Sequence, residues 1–357
     1  MGKLFLDGSK LFHHLDELIK WKKNEAFFPV HVEISPTNAC NYRCTFCYAD
    51  FTGHEKRKIE KEILIRLMND MGQKGVKSCL FAGDGEPTLV KYVMDAIRTG
   101  KEAGIDMALN SNGKLFNEEW AENTLPYLTW LRFSVMAATP EIYSQVHGTR
   151  KEDWSRTIGN ISKAVEVKRK HNLPVTIGIQ QVLLPENAHE VAELARISKE
   201  MGVDYYVLKP FSLHQGNTAY QDGISAVALR DRHLDILKKA EDLTNDAFTC
   251  IIRWNTFLDD GVPSYERCLG LPFIAQIAAD AKIYTCCPFF YHDEFAYGDL
   301  HKEGFADIWM GQRADRMRRQ MAEQFDVQHN CMSYCRHHQI NILLWKLANP
   351  PAHINFI

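Results

Sequence analysis

Three cysteines, Cys40, Cys44 and Cys47, stand in the run Cys-Asn-Tyr-Arg-Cys-Thr-Phe-Cys, directly after a strand-like segment at 30–35. Thiolates are the usual ligands of iron–sulfur clusters, and a 4Fe–4S cluster takes four of them. A tight run of three leaves one iron without a protein ligand. A small molecule can bind at that open position and receive an electron. The competing chemistry is structural zinc, which pairs two cysteines with a second knuckle of cysteines or histidines. His54 is the nearby residue that could complete such a site.

A second group of thiols lies near the end of the chain. Cys268 is followed by Cys286-Cys287 and then by Cys331-Met-Ser-Tyr-Cys335. One four-thiolate site can be drawn from Cys268, Cys286 or Cys287, Cys331 and Cys335. A cluster or a zinc ribbon would both accept it. Cys79 falls in a strand-like segment and reads as core, because a free cysteine packs as a small hydrophobe. Cys250, in Phe248-Thr-Cys-Ile-Ile-Arg-Trp254, reads as a strand-core thiol or, more sharply, as an S–H that gives a hydrogen atom to a substrate radical.

These groups must be positioned by an alternating scaffold. Strand-like segments at 30–35, 78–82, 106–110, 131–135, 175–183 and 205–209 alternate with helix-like segments at 61–74, 89–103, 117–125, 154–171 and 188–201. Six such units imply a parallel sheet with right-handed crossovers, hence an α/β fold: a partial (β/α)6 TIM-like barrel. Chemistry in such barrels sits at the C-terminal ends of the strands, where the first cysteine run falls. The expected divisions are an amphipathic lead-in helix in residues 1–27, a barrel at 28–245, a small cysteine-rich domain at 246–340 and an apolar tail at 341–357. The tail is expected to pack back on the barrel or close its mouth.

The 357 residues carry 42 basic and 45 acidic side chains, a net charge of −3, so no basic excess points to nucleic acid or anionic lipid. No apolar run reaches the length of a membrane span, and the charged start predicts no secretory signal. Ten cysteines in such a chain read as ligands or reactive thiols of a cytoplasmic protein rather than as disulfides.

The cysteine run, Phe46 before its third member and the preceding strand resemble the radical S-adenosylmethionine (SAM) superfamily. The resemblance implies that the methionine part of SAM chelates the open iron. It further implies that the reduced cluster cleaves SAM to a 5′-deoxyadenosyl radical, with electrons from a flavodoxin- or ferredoxin-type donor. Gly83-Asp84-Gly85-Glu86-Pro87 resembles the family's Gly-Gly-Glu-Pro motif, which holds the SAM amino group; Asp84 stands where a glycine is usual. Ser111, Ser134 and, more loosely, Gln180 match strand-end positions that contact the ribose or carboxylate.

The C-terminal region resembles the SPASM/Twitch extension of these enzymes, which holds auxiliary iron–sulfur clusters. A hairpin precedes Cys286, with Ala281 where a turn glycine is usual, and Gly-Asp-Leu and Asp-Ile-Trp segments follow. The implied ligands of a second 4Fe–4S cluster are Cys268, Cys286, Cys331 and Cys335. The spacings resemble those of the family's scyllo-inosamine dehydrogenases. Cys250 corresponds in role to the donor thiol of its neomycin-type epimerases. The resemblance therefore implies oxidation or epimerisation at a carbinol carbon of a small polar substrate such as a sugar, aminocyclitol or nucleotide sugar. The alternative is modification of a ribosomal peptide, for which the lead-in is shorter than a leader-binding domain. Arg132, Tyr143, His147, Lys209, His214 and Arg253 are the candidates for the base or for substrate contacts.

Overall fold

The computed structural model describes residues 8–214, 216–217, 220, 224–258 and 260–356. A short 3-10 turn and helix α1 (Leu15–Lys22) lead in. Seven strands then follow in spatial order as in sequence: β1 (His31–Ile34), β2 (Ser78–Phe81), β3 (Asp106–Ser111), β4 (Leu128–Ser134), β5 (Thr176–Val182), β6 (Tyr205–Lys209) and β7 (Thr249–Ile252). Each pairs in parallel with the next. The crossovers are α2 (Lys61–Gln73), α3 (Val93–Glu102), α4 (Glu118–Thr124), α5 (Pro140–His147) with α6 (Glu152–Lys170), α7 (Val191–Met201), and α8 (Ala226–Arg232) with α9 (Leu234–Glu241).

Period-two alternation sorts the side chains. Val32, Ile34, Cys79, Phe81, Leu131, Phe133, Tyr206 and Leu208 bury under the helices. The intervening Glu33, Arg132, Ser134 and Lys209 face the concave side and line one cavity. Glu33 and Lys209 lie five strands apart, about 24 Å in a flat sheet. Their sharing of a cavity shows that the sheet curls into an open barrel.

The sequence reading stops the barrel at 245, yet Thr249–Ile252 adds a seventh parallel strand against β6. The C-terminal part does not stand apart either. β8 (Ile274–Ile277) pairs in parallel with the free edge of β1, and β9 (Lys282–Tyr284) and β10 (Ala296–Asp299) continue the same sheet antiparallel. The turn before β9 places Ala281 at φ 58°, the left-handed region glycine favours. Helices α10 (Phe305–Met310), α11 (Gln312–Glu323), α12 (Val327–Asn330) and α13 (His338–Ala348) complete the chain.

The amphipathic stripe of the lead-in divides. Leu11 and Leu18 bury with Leu344 of α13 and Phe273, while Phe12, Leu15 and Ile19 stay exposed. The expected tail therefore packs through Leu344 against Phe273 and the lead-in rather than over the barrel mouth. No helix among the described residues is long and apolar enough to cross a membrane.

Candidate active site: two cysteine groups on one cavity

The cysteine loop is fixed from behind by α5. Thr139 caps that helix, Pro140 opens it and Gly148 ends it in the left-handed conformation (φ 56°). The last carbonyls of a helix lack internal partners, and here the loop supplies them. Arg43 N donates to His147 O (3.1 Å) and Thr45 N to Val146 O (2.9 Å). A Cβ on Gly148 would meet the Arg43 carbonyl at 2.1 Å, so the close approach needs glycine.

The same contact brings His147 against the first thiols. Its Nε2 lies 3.2 Å from the backbone nitrogen of Met136, which can only donate. Nδ1 therefore carries the ring hydrogen and donates to Cys44 Sγ at 3.3 Å. Burial lowers the His147 pKa to about 3, so the imidazole is neutral. His147 is thus a support for Cys44 rather than a general base. Tyr143 is also removed from the candidate bases. It is fully buried behind the loop, its hydroxyl 3.2 Å from that of Tyr42 and 3.1 Å from Thr157 Oγ1, and it does not line the cavity.

The cavity has a volume of about 340 Å³. Cys40, Cys44, Cys47 and Phe46 form one wall. Gly83, Gly85 and Glu86 adjoin it, and a Cβ on Gly85 would meet the carbonyl oxygens of Thr37 and Ala39 at 2.3 and 2.4 Å. Glu86 ties the neighbouring strand ends together. It accepts from Ser111 Oγ (2.8 Å), Thr88 Oγ1 (2.6 Å) and Asn112 N (2.7 Å). Thr88 N also donates to Oε1 (3.1 Å), so Oε1 takes three donors and Oε2, among the described residues, Asn112 N alone. Each carboxylate oxygen offers two lone-pair directions, which leaves acceptor capacity on Oε2. Burial raises its pKa.

Asp84 departs from the expected contact with an amino group. It is buried off the cavity, where Ser35 and Tyr291 Oη (2.6 Å) donate to its two oxygens. Its role is to tie the β2 loop to the C-terminal region. Ser111, Ser134 and Gln180 do line the cavity, with Arg132, Lys209 and Arg253 beyond them. His214 does not; it stacks on Phe51 (4.1 Å) and its Nε2 lies 3.3 Å from Pro288 O.

Of the second thiol group, Cys268 and Cys286 are buried away from the cavity while Cys335 reaches its wall. Cys268 and Cys286 pack with Tyr265, Leu271 and Met321, and half-buried Cys331 lies against them. Cys335 hydrogen-bonds Cys331, raising the pKa of Cys331 and lowering its own. Asn341 of α13 holds the pocket closed: Leu269 N and Gly270 N each donate to its Oδ1 at 2.8 Å, and its Nδ2 donates to Cys268 Sγ at 3.5 Å.

Adjacent residues in an extended segment point oppositely, so Cys287 faces the central cavity instead. There Tyr48 donates to its sulfur. Cys250 lies on the outer face of β7, in register with Tyr206, within the core under the helices. It does not line the cavity, which removes it as a donor thiol. Sequence reasoning passed over Glu33, Tyr48 and Arg336. A charged residue at an alternating strand position could have found Glu33; nothing local marks the other two.

The thiols fit iron better than they fit solitude. Burial pushes the Cys40 pKa up to about 11 and those of Cys47 and Cys268 to about 12. A coordinating cation is what deprotonates such thiols. Among the described residues no three His, Cys, Asp or Glu side chains close on a point as one tetrahedral ion demands. A four-iron cube, with each thiolate on its own iron, spreads them wider.

Comparison with known proteins agrees with this layout. The radical SAM superfamily model matches residues 34–198, and the iron–sulfur cluster-binding SPASM domain model matches 268–337. A tungsten-containing aldehyde ferredoxin oxidoreductase cofactor-modifying protein of Pyrococcus furiosus is 21% identical over 303 residues, 78% of this chain and 80% of that protein. A probable GTP 3′,8-cyclase of Saccharolobus solfataricus is 23% identical over 193 residues, 54% of this chain and 60% of that protein. Among solved structures, SuiB of Streptococcus suis bound to S-adenosylmethionine superposes with a TM-score of 0.66 at 17% identity, covering 89% of this chain and 75% of SuiB. anSMEcpe with bound AdoMet and the Kp18Cys peptide gives 0.59 at 16% identity, covering 90% and 97%. These similarities establish the fold.

Proposed function

From a chain that belongs to the radical SAM enzymes bearing a SPASM iron–sulfur domain, we propose an enzyme that removes a hydrogen atom from a carbinol carbon of a small polar substrate and so oxidises or epimerises it. The radical SAM domain takes S-adenosylmethionine and a 4Fe–4S cluster, and the SPASM domain takes further iron–sulfur clusters. When bound, SAM and the reduced cluster supply a 5′-deoxyadenosyl radical. The observation that carries the reading is the shared cavity: Cys40, Cys44 and Cys47 on one side, Cys287 and Cys335 on the other, with polar strand-end side chains between them.

In this reading Cys40, Cys44 and Cys47 hold the first cluster, and Cys268, Cys286, Cys331 and Cys335 hold the second. His147 steadies Cys44, and Gly85 lets the two loops that frame SAM approach. Glu86 Oε2 accepts from the SAM ammonium, while Ser111, Ser134 and Gln180 line the rest of its seat. Phe46 covers the cluster edge, its ring against His147 at 5.6 Å. For oxidation, Lys209 takes the hydroxyl proton; burial and the neighbouring Arg132, Arg253 and Arg336 lower its pKa to about 7, a value suited to a base. The second electron passes toward Cys335. For epimerisation, Cys287 returns a hydrogen atom to the carbon from the side opposite the first thiols. Its Tyr48 contact holds the S–H in place.

The relatives whose names state a substrate include a GTP cyclase and a nucleotide dehydratase, which supports a small polar molecule, while SuiB and anSMEcpe are solved with bound peptides, which supports peptide modification as the second reading. The test is turnover of the reconstituted enzyme in heavy water against a panel of sugars, aminocyclitols and nucleotide sugars. Solvent deuterium on carbon identifies epimerisation; ketone without deuterium identifies oxidation. Loss of the deuterium in Cys287→Ala, with Cys250→Ala unaffected, is expected on the epimerase route. Failure to form 5′-deoxyadenosine under reducing conditions would sink the proposal.

A further inference from the structure

The loop after β2 carries a carboxylate that does not reach the cavity. Asp84 is 2% exposed, and its two oxygens take donors from different parts of the chain. Ser35, just past β1, donates to Oδ1, and Tyr291 Oη donates to Oδ2 at 2.6 Å. Tyr291 stands four residues beyond Cys287. The backbone between them is a tight turn: Phe289 N donates to Cys286 O (3.1 Å), Phe290 N to Cys287 O (3.2 Å) and His292 N to Phe289 O (3.2 Å). Cys287 and Phe290 line the cavity, whereas Asp84 and Tyr291 stand behind it. Tyr291 is held from a second direction as well. The Arg57 guanidinium lies 4.4 Å from its ring centroid, and Arg57 N donates at 2.7 Å to Oδ1 of Asn38, two residues before Cys40. Tyr291 has φ 69°, in the left-handed region that strains a bulky residue. Such strain persists where the surroundings over-determine it, and here Asp84 and Arg57 do so.

Given the SAM seat proposed above, we infer that Asp84 and Tyr291 are positioning residues: they lock the turn bearing Cys286 and Cys287 onto the loops that hold SAM, so that SAM affinity and the aim of Cys287 depend on one hydrogen bond. Hydroxyl donors to a carboxylate make charge-assisted bonds, roughly twice as strong as neutral ones. The loop they act on has little room of its own. A Cβ on Gly83 would meet Ser35 Cβ at 2.4 Å, and Glu86 N donates to Ala39 O at 2.8 Å. A shift of Tyr291 therefore reaches both halves of the seat, through Asp84 to Gly83 and Glu86 and through Arg57 to the segment before Cys40. In the other direction, the turn carries any shift of Asp84 to the Cys287 thiol. A glycine, the residue usual at position 84, offers no acceptor and would leave the two parts joined by packing alone.

The test uses the anaerobically reconstituted, unreduced holoenzyme. Calorimetry measures SAM affinity, and peptide mass spectrometry follows alkylation of Cys287 by iodoacetamide. Tyr291→Phe and Asp84→Ala should each weaken SAM binding roughly fivefold and speed Cys287 alkylation by a similar factor. The double variant should be no worse than Asp84→Ala alone, because the bond is lost only once. Asp84→Asn, which keeps one acceptor oxygen and the side-chain shape, should recover part of the loss. Iron content and circular dichroism report folding; Tyr291→Phe and Asp84→Asn, the mildest changes, carry the test if Asp84→Ala does not fold. Wild-type SAM affinity and wild-type alkylation in folded Tyr291→Phe overturn the proposal, even with a lowered melting temperature. Additive losses in the double variant overturn it too. Glu86→Gln judges the seat separately: unchanged SAM affinity there would remove the seat, while Cys287 alkylation in Tyr291→Phe still judges the lock.

Discussion

The two cysteine groups are built from the same residue type and hold it in opposite ways. Cys40, Cys44 and Cys47 come from one loop of eight residues, are half-buried and open on the cavity. Cys268, Cys286, Cys331 and Cys335 come from distant segments, and the first two are buried in a pocket of their own with Tyr265 and Met321. Both groups have neutral donors against sulfur: His147 on Cys44 at 3.3 Å in the first, and Asn341 on Cys268 at 3.5 Å and Thr285 on Cys286 at 4.0 Å in the second. Hydrogen bonds to ligand sulfur and solvent exposure both set cluster potential. The difference teaches that the same donor type can be held at an open cavity wall or in enclosed surroundings, so that access, not residue type, separates the two groups.

The sharpest way to break the comparison is to delete one group. Cys40, Cys44 and Cys47 replaced together by Ala should abolish 5′-deoxyadenosine formation and leave about four irons per chain in place of about eight. Iron and sulfide analysis with Mössbauer spectroscopy reads the count. If that variant holds no iron, the second group is not a cluster site.

Next comes the choice between neighbours. Cys286→Ala should lose the second cluster and lower the melting temperature, because the pocket's Cys268, Cys331 and Cys335 would lose the metal that joins distant segments. Cys287→Ala should leave iron content unchanged. Equal iron loss in both would show that the two thiols are not distinguished as their opposite directions require.

A smaller effect separates the two supports. His147→Phe removes the N–H···S bond to Cys44. It should lower the midpoint potential of the first cluster by roughly 60 mV, the one-electron equivalent of about 1.4 kcal/mol. An EPR-monitored redox titration measures it, and the second cluster serves as the internal reference. No shift would mean that His147 only packs behind the loop.

The smallest effect lies in the hairpin. Ala281→Gly relieves a left-handed residue in the turn before β9 and should stabilise the C-terminal region by about 1 kcal/mol. Thermal melting of the holoenzyme checks it, with radical chemistry unaffected.

Much of the architecture was legible because periodicity and spacing are local. The six strand–helix units appear at the expected places, from β1 to β6. Cys79 is core, as its strand position implied. The strand around Cys250 was read as one, but its place as a seventh barrel strand was not, because that depends on pairing with β6. The candidate site was legible where a motif is contiguous and opaque where it is assembled. Tyr143 and His147 look alike as titratable residues near the loop, yet one is sealed behind it with Thr157 and the other touches Cys44. Asp84 and Glu86, two residues apart, part company for the same reason: only Glu86 faces the cavity.

By itself the sequence determined the inventory of thiols, the parallel sheet and the end of it on which the first cysteine run falls, since these follow from residue type, short spacing and hydrophobic period. Tertiary structure alone decided which of Cys286 and Cys287 turns toward the buried thiols. It also took Cys250 out of the cavity and brought Arg132, Lys209 and Arg253 to one wall. A side chain's direction depends on strand register and sheet curl, and both are set by partners far away in the chain.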